Sequence, residues 1–164
     1  MISKTFDIDL LYILAFTVGF SLFDYFAYNI SAKKGWTDSI FAPYRIAQTC
    51  VQIILIAIAW AFVNGIVAIG FTLLWWTWGC DWIFHVFCLT NIFNDIKYIL
   101  DKELREKYFN KISWAWWTPY GLVDLLISGK DKGTKYFKII NWKVLAVQSL
   151  IGILVTILIT ALCQ

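Results

Sequence analysis

The sequence predicts an all-α, polytopic integral membrane protein: four transmembrane helices in a bundle, a cytoplasmic amphipathic helix and a Trp-rich interfacial segment. Three observations predict it. Of 164 residues, 60% are hydrophobic and only 15% are charged, with a mean hydropathy of +0.68. Soluble domains are roughly 45–50% apolar and about 25% charged, so this excess has no place in water once a small core is filled. Several stretches are also long enough to cross a hydrocarbon layer ~30 Å thick, which takes about 20 apolar residues. Finally, the basic residues cluster between these stretches, and the small net charge of +3 spread in this way excludes a nucleic-acid binder.

The first span covers 8–30, interrupted by Asp9 near its start and Asp24 deep inside. No small-residue cleavage site follows it, so it is expected to be retained. The next uncharged stretch runs from Ile46 to Cys80 and stays apolar to about Phe93. As one helix its uncharged part alone would reach about 50 Å, so it must reverse, and Asn64-Gly65 is the turn dipeptide within it. Two spans follow, 46–63 and 66–89. The last span, 144–162, carries no charge.

The stretch 112–127 is apolar but holds Pro119, Gly121 and Asp124. If it crossed, the basic residues would divide evenly between the two sides. If it does not, every Lys and Arg except Lys4 falls on one face, and the positive-inside rule makes that face cytoplasmic with both termini outside. The segment 91–141 is then one cytoplasmic excursion. Its first half repeats Ile92, Ile96, Ile99, Leu100 and Leu104 at helical spacing; its second half, around Trp114, Trp116 and Trp117, suits the headgroup layer or a re-entrant loop. Lys130, Lys132, Lys135 and Lys138 suit anionic lipid headgroups. The four cysteines form no disulfide framework and read as reduced, buried thiols.

Ionisable groups inside spans are costly and usually face the protein interior. Asp24, Asp81 and His85 are the candidates for acid–base or metal chemistry, all near the cytoplasmic side. Gln48, Gln52, Gln148, Ser149 and Tyr28 lie at similar height, with Trp117 above them, and are the candidate ligand-binding residues. Thr17, Ser21, Asp24 and Tyr28 share one helical stripe, as do Asp81, His85 and Cys88. Facing inward, these stripes enclose a polar chamber; the plainer reading is that they are hydrogen-bonding glue between helices. Asp81, His85 and Asp24 would be the ligands of any metal, and the sequence names no cofactor.

Three functions fit these residues. The first is a non-catalytic membrane subunit, or an assembly or binding protein with a membrane-protein partner or a second copy, favoured by the small residues Ala15, Gly19, Ser149, Gly152, Thr156 and Thr160. The second is an enzyme acting on lipid or polyprenyl substrates at the cytoplasmic interface. The third is a small transporter or proton-linked channel.

Overall fold

The computed structural model describes residues 4–32, 34, 43–87, 118–119, 122–123 and 142–163. Among them are five longer helices and no strand: α1 (Lys4–Ala32), α2 (Pro43–Phe62), α3 (Gly65–Trp76), α4 (Gly79–Phe87) and α5 (Trp142–Leu162). Three of these carry stretches long and apolar enough to cross a membrane: Thr5–Tyr28, Pro43–Phe62 and Val144–Leu162. The amphipathic helix, the Trp-rich segment except Thr118, Pro119, Leu122 and Val123, and the Lys130–Lys138 cluster lie outside the described residues.

The chain reverses at Asn64-Gly65, as the turn signal indicates. Asn64 is extended and caps α3, its side-chain oxygen accepting from the Val67 N–H at 2.9 Å. Its amide Nδ2 also donates to Asp9 of α1 at 2.8 Å, which accommodates that buried carboxylate at the same end of the bundle.

The third apolar stretch is not one helix. It breaks at Thr77-Trp78, where α3 closes with Thr77 N–H on Leu73 O and Trp78 N–H on Trp75 O, and Trp78 takes φ 73°. Gly79 follows because a Cβ there would stand 2.9 Å from Leu74 O. Thr77 and the lone Gly79 are all that mark the break in an otherwise apolar, uncharged run, and hydropathy does not register them.

α3 is the central helix, packed against α1, α2 and α5, and α4 packs on α1 and α5. Ile13, Ala59, Val67 and Ala68 form one core, and Phe20, Phe71 and Cys80 a second. The helix α5 approaches α3 through small residues. A Cβ on Gly152 would meet the Thr77 side chain, and one on Gly70 would stand 3.1 Å from Thr156 Cγ2. Ser149, Thr156 and Thr160 are buried along the same face. Ala15 and Gly19, by contrast, face outward, and a Cβ on Gly19 meets nothing. The cysteines depart from the expected burial: Cys80 is buried, but Cys50 and Cys163 are on faces turned away from neighbouring helices.

The polarity runs opposite to that of a water-soluble bundle. Leu11, Phe26, Ile53, Trp60, Phe62, Leu154 and Leu158 are exposed, while Asp9, Thr17, Ser21, Asp24, Gln52, Gln148 and Ser149 are buried.

Candidate functional site

Three of the four residues of the stripe read on α1 point inward; the fourth, Tyr28, is 43% exposed, because the helix runs on past the end of its packed neighbours. Thr17 and Ser21 are fully covered, and Asp24 is 5% exposed. Thr17 Oγ1 bonds back to Ile13 O at 2.7 Å. The Ser21 hydroxyl stands 2.8 Å from Thr17 O and 2.9 Å from Cys80 O, its one proton shared between a helical carbonyl and the first turn of α4. That contact fixes α4 one turn below Asp24, with Asp81 next in sequence.

The helix α2 begins at Pro43, whose fixed φ suits a first helical position, and this extends the helix past the apolar stretch to include Tyr44 and Arg45. Tyr44, Gln48 and Gln52 follow i, i+4, i+8 spacing and share one face. Tyr44 Oη donates to Asp24 Oδ1 at 2.6 Å, and Gln48 Nε2 donates to the same oxygen at 2.8 Å. Behind them Arg45 Nη1 donates to Gln48 Oε1 at 2.9 Å, and its guanidinium lies 5.0 Å from the centre of the Tyr44 ring. Tyr28 sets its ring edge-on to Tyr44 at 5.7 Å. Asp81, in the first turn of α4, is partly buried and within electrostatic reach of both Asp24 and Arg45.

Among the described residues both hydrogen bonds to Asp24 fall on Oδ1, and Oδ2 accepts none. One turn deeper, Gln52 is 2% exposed, and neither atom of its amide has a hydrogen-bond partner. Among the described residues the cluster thus holds two carboxyl groups beside one guanidinium, which is already engaged by Gln48. Chemically, Asp24 can accept a further donor at Oδ2.

Of the residues singled out in sequence, the structure gathers Asp24, Gln48 and Tyr28 around Tyr44, with Asp81 within electrostatic reach and Gln52 on the helix face of Tyr44 and Gln48. Gln148 and Ser149 are buried elsewhere. Ser149 Oγ is 2.8 Å from Thr77 O and accepts from Trp82 Nε1 at 3.1 Å, so it serves the helix break. The His85 side chain, Cys88 and Trp117 lie outside the described residues, and among those described no three of His, Cys, Asp and Glu gather as a metal site requires. Sequence reasoning missed Tyr44 and Arg45, although their register with Gln48 and Gln52 was visible. Comparison with protein-family models, curated proteins and solved structures finds no match.

Proposed function

We propose that this chain is a four-pass integral membrane protein whose polar chamber, near the cytoplasmic face, binds a polar ligand group without catalysing a reaction on it. The fourth crossing is α3 and α4 together, about 18 Å and about 13 Å long at ~1.5 Å per residue, which jointly match the hydrocarbon thickness. Two features support the count. Apolar side chains face outward around the bundle, and α1 begins at the end of the bundle where α5 finishes: Ile13 and Thr156 meet at Gly70, while later on α3–α4 Ser21 reaches Cys80 O and the earlier Ser149 reaches Thr77 O, so α1 runs with α3 and α5 against it. The basic segments then lie in the cytoplasm, where Lys130, Lys132, Lys135 and Lys138 meet anionic headgroups. A membrane-impermeant maleimide should label Cys163 from outside and a Lys132→Cys variant only from inside. Labelling of both from one side would overturn the four-pass count.

The observation that carries the binding reading is Asp24 itself, buried, fixed through one oxygen by Tyr44 and Gln48, and open at the other. Residues spent on fixing a carboxylate leave it oriented toward a guest, which is the preorganisation a binding site needs. Mass spectrometry of the protein purified in mild detergent should find a bound small molecule or lipid at near-stoichiometric amount, reduced about tenfold or more in Asp24→Asn. The same complement in both proteins would reject a binding role for Asp24.

One feature favours transport as a second reading. Broken membrane helices often mark solute paths, and α3–α4 is broken at mid-depth. The opposite half is filled, however, by Ile13, Ala59, Val67 and Ala68, and its mouth is tied by Asn64 to Asp9. A closed far half suits a dead-end chamber.

A further inference from the structure

Asp24 and Arg45 belong to one cluster, yet among the described residues they form no direct ion pair: the Gln48 side chain stands between them and bonds both. We propose that Arg45 is a positioning residue of the chamber, which acts on Asp24 through Gln48 by fixing the orientation of its amide. This rests on the binding reading above and adds to it the residue that keeps Asp24 Oδ2 as the open position.

An amide side chain has nearly the same shape either way round, so its neighbours decide which end carries the oxygen. A guanidinium can only donate. Arg45 Nη1, 2.9 Å away, therefore requires Oε1 on its side, and Nε2 is left to face Asp24 Oδ1 at 2.8 Å and Tyr44 Oη at 3.4 Å. Tyr44 has one hydroxyl proton and, with an amide N–H on its other side, gives it to the same Oδ1 at 2.6 Å. The guanidinium also lies 5.0 Å from the centre of the Tyr44 ring, so one cation holds both donors in place.

Both donors thus converge on Oδ1, which is left only to accept. Without Arg45 the amide is free to turn. A reversed Gln48 would present Oε1 to Asp24, accept a proton carried on Oδ1 and compete for the Tyr44 hydroxyl, so that either carboxyl oxygen could hold a proton. With Arg45 in place a proton sits only on Oδ2, where it excludes a donor from a guest. Oδ2 has no hydrogen-bond partner and is not one of the buried polar atoms sealed from solvent, whereas both amide atoms of Gln52 are. Among the described residues, the other titratable or charged groups around Asp24 are Tyr28 on α1, Tyr44 and Arg45 on α2, and Cys80 and Asp81 on α4.

The test treats the full chain in dodecyl maltoside with dicyclohexylcarbodiimide, an apolar reagent that adds to protonated carboxyl groups. The carboxyl proton passes to a carbodiimide nitrogen, the carboxyl oxygen bonds the central carbon, and the O-acylisourea rearranges to an N-acylurea with nothing expelled. Peptide mass spectrometry separates adducts at Asp24 from those at Asp81. At fixed pH, Arg45→Ala should label Asp24 about fivefold or more faster than the parent chain, and Arg45→Lys, which can still donate to Oε1, should return most of the difference. In a Gln48→Leu background, Arg45→Ala should change the rate by less than about twofold, since the side chain it acts through is gone. The same acceleration in both backgrounds would show Arg45 acting on Asp24 by charge alone and would overturn the proposal. So would Arg45→Lys labelling as fast as Arg45→Ala. Absence of an Asp24 adduct from every chain would overturn it together with the open Oδ2 on which the binding reading rests. Independent effects of the two substitutions, beside a co-purifying molecule that depends on Asp24, would overturn the positioning role and leave the binding reading standing.

Discussion

Replacing Trp78 by Ala is expected to destabilise the protein by about 3–5 kcal/mol, the range for removing a buried aromatic side chain. Trp78 is 1% exposed, and its ring meets Trp82 edge-on at 5.1 Å. It also holds φ 73°, a backbone region that costs an L-residue roughly 1–2 kcal/mol. The kink therefore persists because the indole is buried. Alanine keeps the backbone cost and loses the burial. Glycine loses the same burial but adopts φ 73° freely, so Trp78→Gly should be the milder change by about 1 kcal/mol, the reverse of the usual helical order. Equilibrium unfolding in mixed micelles would measure both; alanine milder than glycine would mean that the break does not depend on this residue's conformation.

Replacing Gly152 by Ala is expected to cost about 1–3 kcal/mol or more, because overpacking moves neighbours that are already tied. The added methyl would stand 2.6 Å from Thr77 Cβ and 2.8 Å from Thr77 Cγ2. Thr77 cannot turn away cheaply, since its hydroxyl bonds Leu73 O at 2.7 Å and its carbonyl accepts from Ser149. Adding Thr77→Ala should recover part of the loss, so the pair would be less damaging than the sum of its singles. Gly19→Ala is the control: in open space on a helix it should be neutral or stabilising by up to about 1 kcal/mol. Equal losses at Gly152 and Gly19 would mean that the α3–α5 contact is not limiting.

The apolar lengths and the Asn64-Gly65 reversal were legible because both are local properties of the chain. The break at Thr77 was not, since hydropathy records what solvent a residue prefers and not the path of its backbone. On α1, the 3.6-residue period exposed Ser21 and Asp24 as inward-facing. On α2, placing the span's boundary by charge put Arg45 outside it and took Tyr44 with it, although the helix runs on to Pro43. Ser149 was recognisable as an inward polar residue. Its role was not, because the carbonyl it meets belongs to a residue 72 positions earlier.

That separation has a consequence for the order of assembly. The carbonyls flanking the break receive hydroxyl protons from two different helices, Ser21 for Cys80 and Ser149 for Thr77. During synthesis the first donor is made before the break and the second long after it. Synthesis order alone leaves Thr77 O without this donor until α5 is made, whereas Cys80 O has its donor as soon as α4 is complete. A nascent chain halted before residue 142 would hold a hinge, whereas the finished chain holds a clasp.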